Sequence, residues 1–277
     1  MTRERNSPSA VILDMLRSAR SRRRTARSLI SAGALFGFSA NTMRVNLSRL
    51  MARGLIESPE RGLYQLTSQT DAVNEFVERW RLGEQRVRPW QANCWLFAHA
   101  PADTQSNGWA LDALGFRAVR PGLHARPDNL AMSMGQLRSL AAGIGLAPDV
   151  LLMSGRPEDG SEAACWPALW QPDALNREYQ DACRRLAASA RALPGLPADE
   201  AQLECFSLGG EMIHLLAKDP LLPLEMVDTG ARQRLWRAML DYDVQGKQIW
   251  ASGKDDSLRR MPRPQLQQAH HRAGGNP

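Results

Sequence analysis

The chain has 277 residues, 43% of them hydrophobic, and no apolar run of the roughly 18–20 residues that a membrane-spanning helix needs. That excludes a wholly disordered chain, leaves room for two or three cores, and predicts a soluble, cytoplasmic protein without a membrane partner. The net charge of +6 is segregated: residues 1–66 hold twelve arginines against four acids (Glu4, Asp14, Glu57, Glu60), residues 67–252 stand at −5, and the segment from Gly253 at +3.

A pI near 9.6 that arises from basic ends marks one module as facing a polyanion, and nucleic acid is the leading partner. The plainer reading is a general bias to arginine in a chain with only three lysines. The local pattern decides between them.

Val11, Ile12, Met15, Leu16 and Ala19 recur at three- and four-residue spacings, which predicts a helix over 9–20 with Ser9 as its cap. Arg20, Arg22, Arg23 and Arg24 follow. A second helix is predicted from Thr25 to Phe36, stopped by Gly37-Phe38-Ser39. A third runs from Ala40 to Arg53, capped by Ser39 and closed by Gly54.

At 100° per residue the third helix turns Met43, Leu47 and Leu50 to one side, and Asn41, Thr42, Val45, Ser48 and Arg49 away from it, with Arg44 on the flank. No acid lies between Ala40 and Arg53. A solvated face more often alternates Glu and Lys, whereas Asn, Arg, Ser and one small apolar residue suit the base edges of a major groove. Leu55–Glu57 and Leu63–Leu66, joined by a Pro- and Gly-containing loop, predict a β-hairpin, with Arg61 at its tip. Two helices, a turn, a helix and a hairpin compose a winged helix-turn-helix, in which Arg61 and the cluster Arg22, Arg23 and Arg24 are placed to contact phosphates.

Val73, Phe76, Val77 and Trp80 predict a connecting helix over 71–88. Beyond it come a strand (91–99), a helix (106–114), two short strands turning at Pro121-Gly122, a helix (134–144) and a strand (150–153). That βαββαβ order predicts a ferredoxin-like middle domain. Helices are expected at 174–193, 201–217 and 231–240. The reading is an α+β chain: a winged helix-turn-helix (1–70), the connecting helix (71–88), a ferredoxin-like domain (89–168), a helical domain (169–252) and a disordered tail (253–277).

These segments resemble the PaaX family, the repressors of phenylacetic acid catabolism. Met43-Arg44-Val45-Asn46-Leu47-Ser48-Arg49-Leu50 followed by Gly54-Leu55 is similar to that family's recognition-helix signature. Trp170 followed by Tyr179, and Asp219-Pro220-Leu221-Leu222-Pro223, resemble two later family segments, so that the similarity extends to about Ile249. The resemblance implies a homodimeric regulator with the three-domain order above, released from DNA by an effector of the acyl-coenzyme A type. The chain departs from the pattern at Leu216-Ala217-Lys218 and at Val227-Asp228-Thr229-Gly230, so the ligand-binding residues stay unassigned.

No enzyme constellation is present in the sequence: there is no Gly-x-Ser-x-Gly elbow, Walker loop or His-Glu-x-x-His. Gly143-Ile144-Gly145 lacks a third glycine, and His99, His124 and His214 stand as isolated structural histidines. Cys94, Cys165, Cys183 and Cys205 are too widely spaced for a zinc site, so neither a metal nor a cofactor is expected. The expected function is sequence-specific binding of double-stranded DNA by a ligand-responsive transcriptional regulator, not an enzyme. The alternatives are a nuclease built on the middle domain and an effector-independent architectural protein.

Overall fold

The structure, a computed structural model, describes residues 7–19, 21–91, 93–101, 105–158 and 160–252; the tail expected over 253–277 lies outside them. The first helix, α1 (Pro8–Ser18), is capped by Ser7 and not Ser9, since the Ser7 hydroxyl accepts the Ala10 amide at 3.2 Å and Pro8 occupies the first turn. Arg23–Thr25 form a strand, β1, where the sequence suggested only an arginine cluster running into a helix from Thr25. Thr25 caps α2 (Ala26–Leu35), Ser39 caps α3 (Ala40–Ala52), and the hairpin β2 (Ile56–Glu60) and β3 (Leu63–Leu66) follows. The antiparallel sheet has the order β1-β3-β2, with Arg24 opposite Tyr64. Val11, Ile12, Leu29, Met43, Leu47 and Leu50 close one core, each at most 2% exposed. Each contributes about 1.5–3 kcal/mol by leaving water.

The single connecting helix expected over 71–88 is two pieces. α4 (Asp71–Glu78) passes into a tighter turn, Arg79–Arg86, broken at Gly83, whose φ is +51°. A Cβ at Gly83 would overlap the Trp236 indole, so close packing and the left-handed backbone both require glycine there. Trp80, fully buried, plugs the helical core beside it.

The next segment runs β4 (Trp95–His99), α5 (Gln105–Ala113), β5 (Arg117–Arg120), β6 (Leu123–Pro127), α6 (Met134–Gly143) and β7 (Leu151–Gly155). Its antiparallel sheet has the order β5-β6-β4-β7. The strand expected from residue 91 starts only at Trp95. Side chains alternate across it: Leu96 and Ala98 pack with Leu111 of α5 and Leu137 of α6, while Trp95 turns to the opposite face. That second face is covered by Trp166 and Trp170 of the turn Trp166–Trp170, which follows the short α7 (Gly160–Ala163). Trp95 meets Trp166 edge-on with centroids 5.0 Å apart. Sequence periodicity gave no sign of this tryptophan layer.

The remaining chain is helical: α8 (Pro172–Ala192), α9 (Ala198–Ala217) and α10 (Thr229–Ser252), the last more than twice its expected length. Tyr179, Leu186, Met212, Leu235 and Met239 form their shared core. The whole is a mixture of helices with two antiparallel sheets, an α+β chain. No helix among the described residues is long and apolar enough to cross a membrane.

Buried arginines tie the parts together. Arg126 donates to the carbonyls of Leu114, Pro127 and Pro220 and to the Asn129 side chain. Burial pulls its pKa down to about 9, which leaves it charged at neutral pH. Arg232 grips Glu84 with two bonds of 3.0 Å and donates to the Leu222 carbonyl at 2.7 Å. These bonds satisfy the buried carbonyls of Leu114, Pro127, Pro220 and Leu222 at the joints between segments.

Candidate nucleic-acid interface

α3 is positioned at its N-terminal end and along its inner edge. Ser39 caps it, accepting the Thr42 amide at 3.1 Å, and the turn before it depends on Gly37, whose φ is +77°. Asn46 anchors the inner edge: it accepts from the Ser9 hydroxyl at 2.9 Å and donates to the Thr42 carbonyl at 2.9 Å. With Met43, Leu47 and Leu50 buried, Asn41, Arg44, Val45, Ser48 and Arg49 are left exposed on one continuous surface. Val45 is 39% exposed, an apolar group held in water at the centre of that surface. Thr42 is only half-buried from it and bonds the Ser39 hydroxyl at 2.9 Å, so it belongs to the cap as much as to the outer face.

The arginines predicted to flank this face separate into different roles. Arg24 is half-buried and donates to the Met15 carbonyl at 3.0 Å and to the Ser28 hydroxyl at 3.4 Å, so it fastens α1 to α2. Arg22, at φ +53°, lies 3.5 Å from Asp71, both side chains more than half exposed; such a pair is worth little. Arg23 is exposed on β1. Arg61 is exposed at the hairpin turn beside Gly62, between strands that also expose Glu57 and Glu60. Those two acids leave the hairpin at a net −1, a poor phosphate contact compared with α3.

The structure adds Arg27 on α2 and Arg53 at the end of α3, both exposed, which the periodicity of α3 alone did not single out. Among the described residues Arg23, Arg27, Arg44, Arg49, Arg53 and Arg61 make no ion pair. Elsewhere about half of the described arginines face carboxylates, among them Arg81 with Asp243 at 2.8 Å, Arg88 with Asp128 at 2.6 Å, Arg120 with Glu162 at 2.9 Å and Arg185 with Glu211 at 2.5 Å. The positive charge around α3 is therefore uncompensated within the fold.

No protein-family model matches this chain, and no curated protein does. Among solved structures it is similar to the uncharacterized protein Rv0674 from Mycobacterium tuberculosis, with 22% sequence identity and a TM-score of 0.57 over 88% of this chain and 97% of that one. At that identity the likeness extends to the fold alone. It says nothing of what either chain binds.

The remaining chemistry-bearing residues are scattered. No group of three or more His, Cys, Asp or Glu converges among the described residues. His99 lies on β4, His124 on β6 and His214 on α9. Cys205 is buried, Cys94 and Cys183 half-buried and Cys165 exposed, all as free thiols. Burial pushes the Cys183 and Cys205 thiols up, away from the reactive thiolate.

Proposed function

We propose that this chain is a sequence-specific double-stranded-DNA-binding transcriptional regulator, with α1 to β3 acting as a winged helix-turn-helix and α3 as its recognition helix. The observation that carries the reading is the outer face of α3. It is acid-free, it exposes Asn41, Arg44, Val45, Ser48 and Arg49, and its arginines have no carboxylate partner in a chain whose other arginines so often do. Arg and Asn supply bidentate contacts to guanine and adenine edges, Val45 an apolar contact to a thymine methyl, and Arg23, Arg27 and Arg53 supply phosphate contacts.

The sheet order β5-β6-β4-β7 with α5 and α6 on one face supports a ferredoxin-like middle domain, and α8 to α10 a helical third domain. The resemblance to PaaX repressors extends the proposal to a homodimer that represses an operon of aromatic-acid or acyl-coenzyme A catabolism and responds to a small effector.

The test is footprinting of the purified chain on the DNA upstream of its own gene. Protection of a pseudo-palindromic site by a dimer is expected. Equal affinity for every duplex, at low and at physiological salt, would overturn the reading.

A further inference from the structure

The four-stranded sheet ends in two unlike edges. β5 carries Arg117 and Arg120, paired with Asp112 at 2.8 Å and Glu162 at 2.9 Å, and its register with β6 slips between Ala118 and Arg120. The edges of the smaller sheet are blunted in the same way. β1 is three residues long with two arginines, and β2 holds Pro59 between Glu57 and Glu60 and a register shift of its own. Short length, charge, proline and broken register are the ordinary means by which a free strand edge is kept from pairing with another chain.

β7 has none of the last three. Leu151-Leu152-Met153-Ser154-Gly155 contains no charge and no proline, and it pairs with β4 in unbroken register, from Leu151 opposite His99 to Gly155 opposite Trp95. It stands at the end of the order β5-β6-β4-β7, and no described strand or bridge lies beyond it. Its outer backbone groups are therefore open to a further strand.

The side chains beside that edge are apolar on both faces. Leu152 is buried with Leu96 and Ala98 against α5 and α6. Leu151 and Met153, on the alternate positions, turn to the tryptophan face, where they are 51% and 39% exposed. Met153 stands opposite Phe97, which is half-buried beside Trp166 with ring centroids 5.9 Å apart.

Charge at the two ends of β7 selects the occupant. Asp149 precedes the strand and Arg156 follows it; both are exposed and neither makes an ion pair among the described residues. A strand with an acid before it and a base after it complements a second copy of itself only when that copy runs antiparallel. A two-fold axis normal to the sheet keeps each face on its own side, so a residue can stand opposite only a residue of the same face. With the axis through Leu152, Leu151 lies opposite the partner's Met153, and Asp149 opposite the partner's Gly155, one position from the partner's Arg156. By symmetry each of these pairs occurs twice. Phe97, Met153 and the partner's Leu151 then form one continuous apolar row.

We propose that β7 is the contact through which two copies of this chain join, antiparallel, into one eight-stranded sheet built from two four-stranded ones. The contact gives the homodimer of the regulator reading its surface and rests on that reading for the number of copies alone. An extended segment of an unrelated protein would also find the open edge, but it would have no reason to match Asp149 and Arg156 at once.

Sedimentation equilibrium of the full chain tests this. Wild type should be a dimer at micromolar concentration. Leu151→Lys and Met153→Lys, at exposed positions where folding is not at stake, should each weaken dimerisation about tenfold or more, because each substitution enters the contact twice. Asp149→Arg and Arg156→Asp should each weaken it about threefold, and the two together should restore it, a rescue that a general loss of stability would not give.

A wild-type dimer left unchanged by Leu151→Lys and Met153→Lys would overturn the β7 contact and leave the homodimer standing. A double charge swap no tighter than either single one would overturn the antiparallel alignment. A monomer at every concentration would overturn contact and homodimer together. Dimerisation through β7 by a chain with no preference among duplexes would sink the regulator reading and leave the contact standing.

Discussion

Phe36, at the C-terminal cap of α2, meets Phe206 of α9 edge-on, with ring centroids 5.1 Å apart and planes at 70°. Trp250 of α10 backs Phe206 at 6.4 Å. Because Phe36 leads directly into the turn that starts α3, the pose of α3 is fixed against the helical body. Phe206→Ala should lower stability by about 1–3 kcal/mol, less than a fully buried Phe because these rings are half-exposed. Urea denaturation measures it, and a loss under 0.5 kcal/mol, below that ~1–3 kcal/mol range, would show the seam to be weak.

Arg49→Ala should weaken binding to the protected operator by about 1–3 kcal/mol while leaving nonspecific binding nearly unchanged. The Arg49 side chain is exposed and makes no ion pair or hydrogen bond among the described residues, so the melting temperature should not move. Fluorescence anisotropy on specific and scrambled duplexes checks both; identical operator affinity in mutant and wild type would remove α3 from base recognition.

Arg23 and Arg24, adjacent in sequence, should behave differently. Arg23→Ala, at an exposed strand position, should reduce the salt slope of DNA binding by about one. Arg24→Ala breaks the bond to the Met15 carbonyl and should lower stability by about 0.5–1.5 kcal/mol. Binding titrations from 50 to 200 mM salt, beside thermal melts, separate the two. If Arg24→Ala changes the slope and not the melt, the structural assignment is wrong.

Gly83→Ala should destabilise the chain by about 2–4 kcal/mol, from a left-handed backbone and a clash with Trp236 together. Equilibrium unfolding by tryptophan fluorescence is a direct readout, since Trp80 and Trp236 flank the kink.

Asp243 links stability to pH. Burial alone would raise its carboxyl, but hydrogen bonds from Arg81 at 2.8 Å and Lys247 at 2.6 Å outweigh it and hold the group below its ordinary 3.8. A carboxyl depressed in the fold stabilises fully above its unfolded value, and the contribution is lost as pH falls through the lower folded value. Asp243→Asn should therefore cost about 1–2 kcal/mol at pH 7, and the gap to wild type should narrow as pH drops below about 4. A constant gap from pH 7 to 3 would show that the carboxylate charge plays no part.

Much of this was legible in the sequence because it is local. The 100° periodicity of α3 placed Met43, Leu47 and Leu50 inside and Asn41, Val45, Ser48 and Arg49 outside, and the structure exposes those four residues. The Ser39 cap, the hairpin around Gly62 and the order of strands and helices from β4 to β7 were likewise set by residues within a turn or two of one another. The proposed site on α3 belongs to this class, since one amphipathic helix needs no distant information to choose its buried side.

Tertiary structure alone decided the rest. β1 is a strand only because β3, some forty residues on, pairs with it, and that pairing turned Arg24 from an apparent phosphate contact into an internal tie. The break at Gly83 answers to Trp236, the Trp95 layer to Trp166 and Trp170, and the Arg232–Glu84 bond joins positions 148 apart. Helical periodicity and caps are fixed by interactions over three or four residues. Burial, ion pairing and the meeting of Tyr179 with Asp219 depend on which distant segments the closed core brings together, and no window of sequence holds both partners.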